Sequence, residues 1–374
     1  MRVMFLVHGL PVGGTERVVV DLCHWLRGHG VDLFVACLDE LGAFGMALAA
    51  EGVDCHQLNR RPGLDLGLPG RIARLARREE ASLIHAHQYT PFFYAALARR
   101  RAGIPLLFTE HGRFYPDPPS WKRRLFNRTV GRRVDHVTAV SGQVRDALVD
   151  VEGMAGNAIE VLYNGVDLSR FGAPPGARAR LAVEWGVPPD ATVVGTVARL
   201  NTIKNQALLL AAFARVAAAL PDAHLLVVGD GPEFGRLTQQ AEKLGIADRA
   251  HFVGERADVP FWLACMDVFA LSSLSEGMPM TLLEAMAARV PIVSTAVGGI
   301  GEMLEDGAEA LLVASGDTDA LANALLALCA DPARRGALTA AAHDRVARAF
   351  SLDVIGGRYL EIYRGLCRSG SKKR

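Results

Sequence analysis

Short apolar runs alternate with segments of helical periodicity along all 374 residues of the chain. In the first half, 2–7, 31–37, 83–86, 106–109 and 136–140 read as strands; in the second, 192–197, 224–228, 250–253, 267–271, 291–294 and 310–313 do. Between them, 15–28, 70–79, 91–101, 206–219, 233–244 and 319–329 repeat their apolar positions at helical spacing. Strands that are apolar nearly throughout, each followed by a helix, imply parallel sheets covered on both faces. The expected fold class is therefore α/β and doubly wound.

A chain of this length exceeds one ordinary core and predicts two domains of similar size. The join is expected between Asn164-Gly165-Val166-Asp167 and Pro188-Pro189-Asp190, a stretch with few apolar positions and a Pro174-Pro175-Gly176 turn. This gives a first domain over 1–170 and a second over 171–350. Open α/β sheets bind ligands beyond the carboxyl ends of their strands, so two such domains would face a central cleft. The end from Ser369 to Arg374 is expected to fray.

Composition narrows the partners. Half the residues are hydrophobic and the formal net charge is +1, so nothing points to nucleic acid or another polyanion. Cysteines at 23, 37, 55, 265, 329 and 367 make no CxxC pair and no zinc spacing, which fits reduced thiols and a cytoplasmic setting. The apolar run after Met1 is short for a signal peptide, and 207–220 is interrupted by Arg215, so no membrane span is expected.

The chemistry concentrates at Ser275-Glu276-Gly277-Met278-Pro279-Met280-Thr281-Leu282-Leu283-Glu284-Ala285-Met286-Ala287. A strand ending in hydroxyls, a Gly/Pro turn and an apolar helix leave free N–H groups at a helix start, which attract an anion. Glu284 falls on roughly the same side as 277 and 281, where a carboxylate would accept hydrogen bonds from a vicinal diol. The same residues also read as a capped core helix with two surface glutamates. Upstream, Arg199 and Lys204 follow the strand Gly195-Thr196-Val197, a forked and a compact cation that together suit a diphosphate, and that taken alone read as a surface pair of cations. Gly13-Gly14-Thr15-Glu16 opens a helix after the first strand and allows close backbone approach to an anion. Gly229-Asp230-Gly231-Pro232-Glu233-Phe234-Gly235 misses the dinucleotide spacing by one residue and reads as a tight turn beside a nucleotide site.

His111, in Thr109-Glu110-His111-Gly112-Arg113, ends a strand and can share a proton near neutral pH, or simply hydrogen-bond to the linker. His85 and His87 share one face of a strand without a carboxylate or thiol nearby in sequence, and read as structural or substrate-lining. Asp317-Thr318-Asp319 has a DxD form but precedes a helix that it would cap, so no obligatory metal or cofactor is expected. Trp121-Lys122-Arg123-Arg124-Leu125-Phe126-Asn127-Arg128, with Arg132-Arg133, is a basic and partly aromatic helix. It could rest on anionic lipid, grip a phosphorylated acceptor, or be a solvated face.

Taken together, Gly13-Gly14, His111, Asn164-Gly165-Val166-Asp167, Arg199 and Lys204, Gly229-Asp230-Gly231, the Glu276–Glu284 pair and Gly298-Gly299 resemble the family 4 retaining glycosyltransferases of the GT-B fold. The resemblance runs from residue 9 to about 350. It implies two Rossmann-like domains and a nucleotide-sugar donor, UDP-linked in the commonest case, with a glycan or polyprenyl-linked saccharide as acceptor in cell-surface polysaccharide or glycolipid synthesis. It further implies that Arg199 and Lys204 bind the diphosphate, Glu284 the ribose and Glu276 a sugar hydroxyl, with His111 near the reacting sugar. Backbone near Gly14 and Gly277–Thr281, with Met278, would complete the donor cradle, and the base would meet main chain near Val253. A last helix over 351–366 would return to the first domain, and the protein could sit peripherally on the inner membrane face. A nucleotide-sugar epimerase of the same architecture and a silent sugar-nucleotide-binding subunit are the rival readings.

Overall fold

The structure, a computed structural model, describes residues 1–112, 120–172 and 174–371. Two compact units are present: Met1–Gly165 joined by the chain from Leu352 on, and Val166–Ser351.

Among the described residues the first unit holds seven parallel strands: β1 Arg2–Val7, β2 Asp32–Cys37, β3 Asp54–Gln57, β4 Leu83–His87, β5 Leu106–Glu110, β6 His136–Ala139 and β7 Ile159–Val161. Their order is β3-β2-β1-β4-β5-β6-β7. β1 pairs on both sides, Val3 facing Leu33 of β2 and Leu83 of β4, and its residues from Val3 on are buried. Order reverses at the β1/β4 junction, so the loops after those two strands flank the crevice where such sheets take ligands.

The last helix, Leu352–Ser371, belongs to this unit. Ile355, Tyr359, Ile362 and Tyr363 recur at helical spacing and join Phe5, Val19, Leu22 and Leu26 in one core. Burying an isoleucine of this kind contributes about 1.5–3 kcal/mol before ordering costs. Gly356 is required by close approach, because a Cβ there would lie 2.6 Å from Cδ2 of Trp25. This helix extends past the 351–366 expected from sequence and remains helical at Ser371, where fraying was expected; 372–374 lie outside the described residues. β3 and β7 carry no apolar run to announce them: β3 is Asp-Cys-His-Gln at a sheet edge, and β7 has three residues.

The second unit holds β8 Thr192–Val197, β9 Ala223–Val228, β10 Ala250–Gly254, β11 Val268–Leu271, β12 Ile292–Thr295 and β13 Leu311–Val313, all parallel in the order β10-β9-β8-β11-β12-β13. Leu209, Phe213 and Val216 of the helix Gln206–Ala219 pack with Val194, Leu225 and Ala270 in its core. The order reverses between β8 and β11. The loops 198–205 and 272–279, which carry Arg199, Lys204 and Glu276, leave the sheet at that junction.

Candidate functional site

Two loops of the second unit build one polar site, and the glycines explain its shape. After β8 the chain runs beside the turn that follows β9. Ala198 N donates to Val228 O at 3.0 Å, Leu200 N to Asp230 O at 2.9 Å, and Glu233 N to Leu200 O at 3.1 Å. Gly229 and Gly231 have φ of +135° and +157°, and a Cβ on either would run into the carbonyl oxygen of Ala198 or Leu200. The Gly-Asp-Gly segment is thus a close-approach turn that supports the Arg199 loop. Gln206, buried, donates from Nε2 to Arg199 O at 3.0 Å and pins that loop from below. Asn205 turns the chain into the helix with a left-handed φ of +48°. The Arg199 side chain is exposed and forms no ion pair among the described residues.

Lys204 is held from both ends. Its N donates to Asn201 Oδ1 at 3.1 Å, and Ser272 Oγ lies 3.0 Å from its carbonyl oxygen. Its Nζ donates to Glu276 Oε1 at 2.6 Å, and Ser273 Oγ donates to the same oxygen at 2.6 Å. Glu276 is only 8% exposed, so two donors on one oxygen offset part of the cost of burying its charge. Leu274 N to Ile203 O at 2.7 Å, Gly299 N to Glu276 O at 3.2 Å and Thr295 Oγ1 to Ser273 O at 2.7 Å tie the β11 loop to its neighbours. Gly299 belongs to the Gly298-Gly299 turn after β12.

Pro279, in extended conformation, leads into the helix Met280–Ala287, whose start has no side-chain cap. Every residue of this helix but Thr281 is buried, Glu284 included, so it meets solvent at its N-terminal end. Gly277 and Thr281 are partly open there, while Met278 is 5% exposed and packs inward. Val253 lies in β10 at 3% exposure, which leaves main chain rather than side chain at that position.

In the first unit Gly13, extended, precedes the helix Gly14–Gly28. The Glu16 carboxylate folds back over Gly13, in the manner of a capping box, so the anion seat expected at this helix start already faces a protein carboxylate. Beyond β4 and β5 lies a histidine row. His85 Nδ1 is 2.7 Å from Tyr363 Oη and its Nε2 2.7 Å from Thr109 Oγ1, which makes it a structural link to the last helix. His87 Nδ1 is 2.9 Å from His111 Nε2, and the two rings stack with centroids 5.2 Å apart. Burial pushes His111 down to about 4, while the Asn164 side chain, as a hydrogen-bond acceptor, works in the opposite sense; His111 is neutral at pH 7. His85 and His87 are held well below the ordinary histidine range, first by burial and then by neighbouring imidazoles.

Elsewhere, Asp317 Oδ1 accepts from Ala320 N at 2.9 Å and caps the helix Thr318–Ala330, while Asp319 pairs with Arg215. Among the described residues no group of three or more His, Cys, Asp or Glu could hold a metal ion, and no helix is long and apolar enough to cross a membrane. The basic helix runs Trp121–Thr129 with Trp121 and Leu125 exposed, and Arg123 reaches Glu152 at 3.2 Å. Arg113 lies outside the described residues. Sequence reading missed Asn201, Gln206 and Ser273, which orient Lys204, Arg199 and Glu276. For Asn201 and Gln206 the signal lies in their hydrogen bonds, whereas Ser273 could have been found as the hydroxyl three residues before Glu276.

Comparison with known proteins agrees with this geometry. The model described as Glycosyltransferase Family 4 matches residues 12–170, and that described as Glycosyl transferases group 1 matches 191–331. The chain is 30% identical over 372 residues to the N-acetyl-alpha-D-glucosaminyl L-malate synthase of Bacillus anthracis, covering 96% of this chain and 95% of that one. It is 33% identical over 372 residues to the D-inositol 3-phosphate glycosyltransferase of Rhodococcus jostii (strain RHA1), covering 90% and 81%. Its fold is similar to Anabaena HepE crystallised with UDP and glucose, at TM-score 0.88 and 26% identity over 98% of this chain and 100% of that one.

Proposed function

The chain belongs to the family 4 glycosyltransferases, and we propose that it moves a sugar, with retention of configuration, from a UDP-sugar to a hydroxyl of a glycan or lipid-linked saccharide. The observation that carries this reading is the Lys204–Glu276 pair at the β8/β11 junction, with the unpaired Arg199 guanidinium on the same loop as Lys204. Lys204 and Arg199 bind the diphosphate, helped by N–H groups near Gly277–Thr281. Glu284 accepts from the ribose hydroxyls and Glu276 from a sugar hydroxyl. Main chain at Val253 and Met278 borders the nucleotide. The complex of HepE with UDP supports uridine as the base.

The anomeric C–O bond to the β-phosphate breaks, and its electron pair leaves with the phosphate. Fixed cations aimed at that growing charge are the largest source of rate, and they supply it without a metal. The acceptor oxygen bonds to the anomeric carbon on the face the phosphate leaves, and its proton passes to a phosphate oxygen. His111 hydrogen-bonds the sugar. Exposed Trp121 and Leu125 among Lys122, Arg128, Arg132 and Arg133 support a peripheral contact with an anionic membrane, close to a lipid-linked acceptor.

A thermal-shift panel with UDP, GDP and ADP tests the donor site. Ligand at about 100 times Kd adds roughly 2.7 kcal/mol. UDP should stabilise the full chain and lose its effect in Glu284→Ala; no response to any diphosphate would sink the reading.

A further inference from the structure

The geometry points to the open edge of β3 as a docking site for an extended acidic segment of a partner protein. The segment adds to the sheet as a further strand and sets its carboxylates against the arginines of the helix Leu68–Arg78. The site belongs to the first unit alone and does not depend on the donor loops.

β3 ends the seven-stranded sheet and pairs only with β2, Cys55 opposite Val35 and Gln57 opposite Cys37, without a bulge. Leu58 N donates to Cys37 O at 2.8 Å, so Leu58, and with it His56, turns its main chain towards β2. Cys55 and Gln57, at the alternate positions, direct theirs outward, and among the described residues nothing bonds them there. Edges of this kind are usually closed by a lysine, a proline or a bulge on the strand itself. Asp54-Cys55-His56-Gln57 has none of these, and its one carboxylate, Asp54, is held by Arg2 at 2.7 Å.

A groove of about 620 Å³ follows this edge, between Cys55, His56 and Gln57 on one side and Arg71, Arg74 and Arg78 on the other. Cys55 packs towards Cys23 in the core, while His56 meets Phe34 on the opposite face of the sheet. A groove that touches both therefore runs along the edge and not under one face. It has room for roughly twenty waters, far more than a lone inorganic anion fills.

No carboxylate lines it. Arg71 pairs with Asp65 at 2.6 Å and Arg78 with Glu79 at 2.9 Å. Arg77, which also borders the groove, has only the carbonyl oxygen of Arg101, at 2.6 Å, and Arg74 has no partner among the described residues. Arg101 comes close as well, since a Cβ on Gly70 would lie 3.7 Å from Nη1 of both Arg74 and Arg101. The whole chain carries a net charge of only +1, so this excess of cations is local, and it attracts an anion.

Spacing selects the form of that anion. Arg74 and Arg78 are about 6 Å apart along the helix. Alternate side chains of an extended segment are about 6.6 Å apart on one face. A segment paired to Cys55 and Gln57 thus places acidic residues two positions apart opposite successive arginines, with main chain giving affinity and side chains specificity. A second copy of this chain would bring arginine to arginine, and a small anion would leave the strand's N–H and C=O groups unused.

The test titrates the full chain, at low ionic strength, with a fluorescein-tagged hexapeptide of alternating glutamate and valine, followed by anisotropy. Saturable binding is expected, weakening as salt is added. The same peptide N-methylated throughout keeps its charge but cannot donate to the strand, and should bind about tenfold more weakly or worse. Gln57→Pro removes only the outward N–H, a change that an edge strand accepts, and should also cost about tenfold. Arg74→Glu/Arg77→Glu should cost at least as much, and both variants should keep the parental urea midpoint and the parental UDP stabilisation. No saturable binding, or peptide affinity unchanged in Arg74→Glu/Arg77→Glu, would overturn the proposal. Equal affinity for the methylated peptide, or parental affinity in Gln57→Pro, would overturn strand addition and leave a general anion surface. Capture by phosphatidylglycerol vesicles that Arg74→Glu/Arg77→Glu abolishes, without peptide binding, would assign the groove to lipid instead.

Discussion

Replacing Lys204 separates what holds the site together from what drives transfer. In Lys204→Ala the Glu276 carboxylate, 8% exposed, keeps only the Ser273 hydroxyl as a donor. Breaking a buried pair costs about 3–5 kcal/mol, and because Lys204 is 22% exposed water should offset part of that, leaving about 2 kcal/mol. Adding Glu276→Gln removes the stranded charge, so Lys204→Ala/Glu276→Gln should recover most of the lost stability. It should not recover activity. A cation aimed at the leaving phosphate is worth roughly 10²–10³ in kcat, about 2.7–4 kcal/mol of barrier. Urea unfolding followed by tryptophan fluorescence, in which Trp185 and Trp262 report the second unit, gives the stability arm; initial rates at saturating donor give the other. The reasoning fails if Lys204→Ala unfolds and turns over like the parent, or if the double variant is as unstable as the single one.

Other outcomes follow from the same geometry. Gly229→Ala should push the Arg199 loop away through Ala198 O, costing about 1–3 kcal/mol and weakening UDP binding; unchanged UDP affinity by calorimetry would refute the supporting role of that turn. Gly356→Ala should drive the last helix off Trp25 and destabilise the first unit by about 1–3 kcal/mol, read as earlier proteolysis beyond Ser351; parental resistance would count against that packing. His85, His87 and His111 are held below the unfolded value near 6.5, so between pH 6.5 and about 4 the unfolded chain binds more protons. Stability of the first unit is then fully present above pH 6.5 and falls with acidification, by about 1.4 kcal/mol per pH unit for each histidine at most. Urea midpoints that stay flat from pH 7 to 5 would contradict it.

The alternation of apolar runs and helical segments revealed the central strands, because β1, β8 and their neighbours are buried on both faces and admit few polar residues. It could not reveal β3, whose Asp-Cys-His-Gln is only partly buried at an edge. The unit boundary at Gly165 also depends on tertiary contact: Gly165 packs against Ile355 and Leu352, residues nearly two hundred positions away, with a would-be Cβ 3.1 Å from each. At the site, motif spacing singled out Arg199, Lys204, Glu276 and Glu284 as candidates. It was silent on the pairing of Lys204 with Glu276 across 72 positions, since two loops meet there only because β8 and β11 are neighbours in the sheet. The period of two in His85-Ala86-His87 put both rings on one face, yet their different partners, a tyrosine of the last helix and His111, emerge only in the folded unit.

The central claim is transfer of a sugar from UDP with its configuration kept. Proton NMR of the full chain incubated with α-linked UDP-sugars and a panel of hydroxyl acceptors, L-malate and D-inositol 3-phosphate among them, observes it directly. The account predicts UDP release matched by an α-configured product, both lost in Lys204→Ala. A β-configured product, or an α product that Lys204→Ala forms at the parental rate, would contradict it.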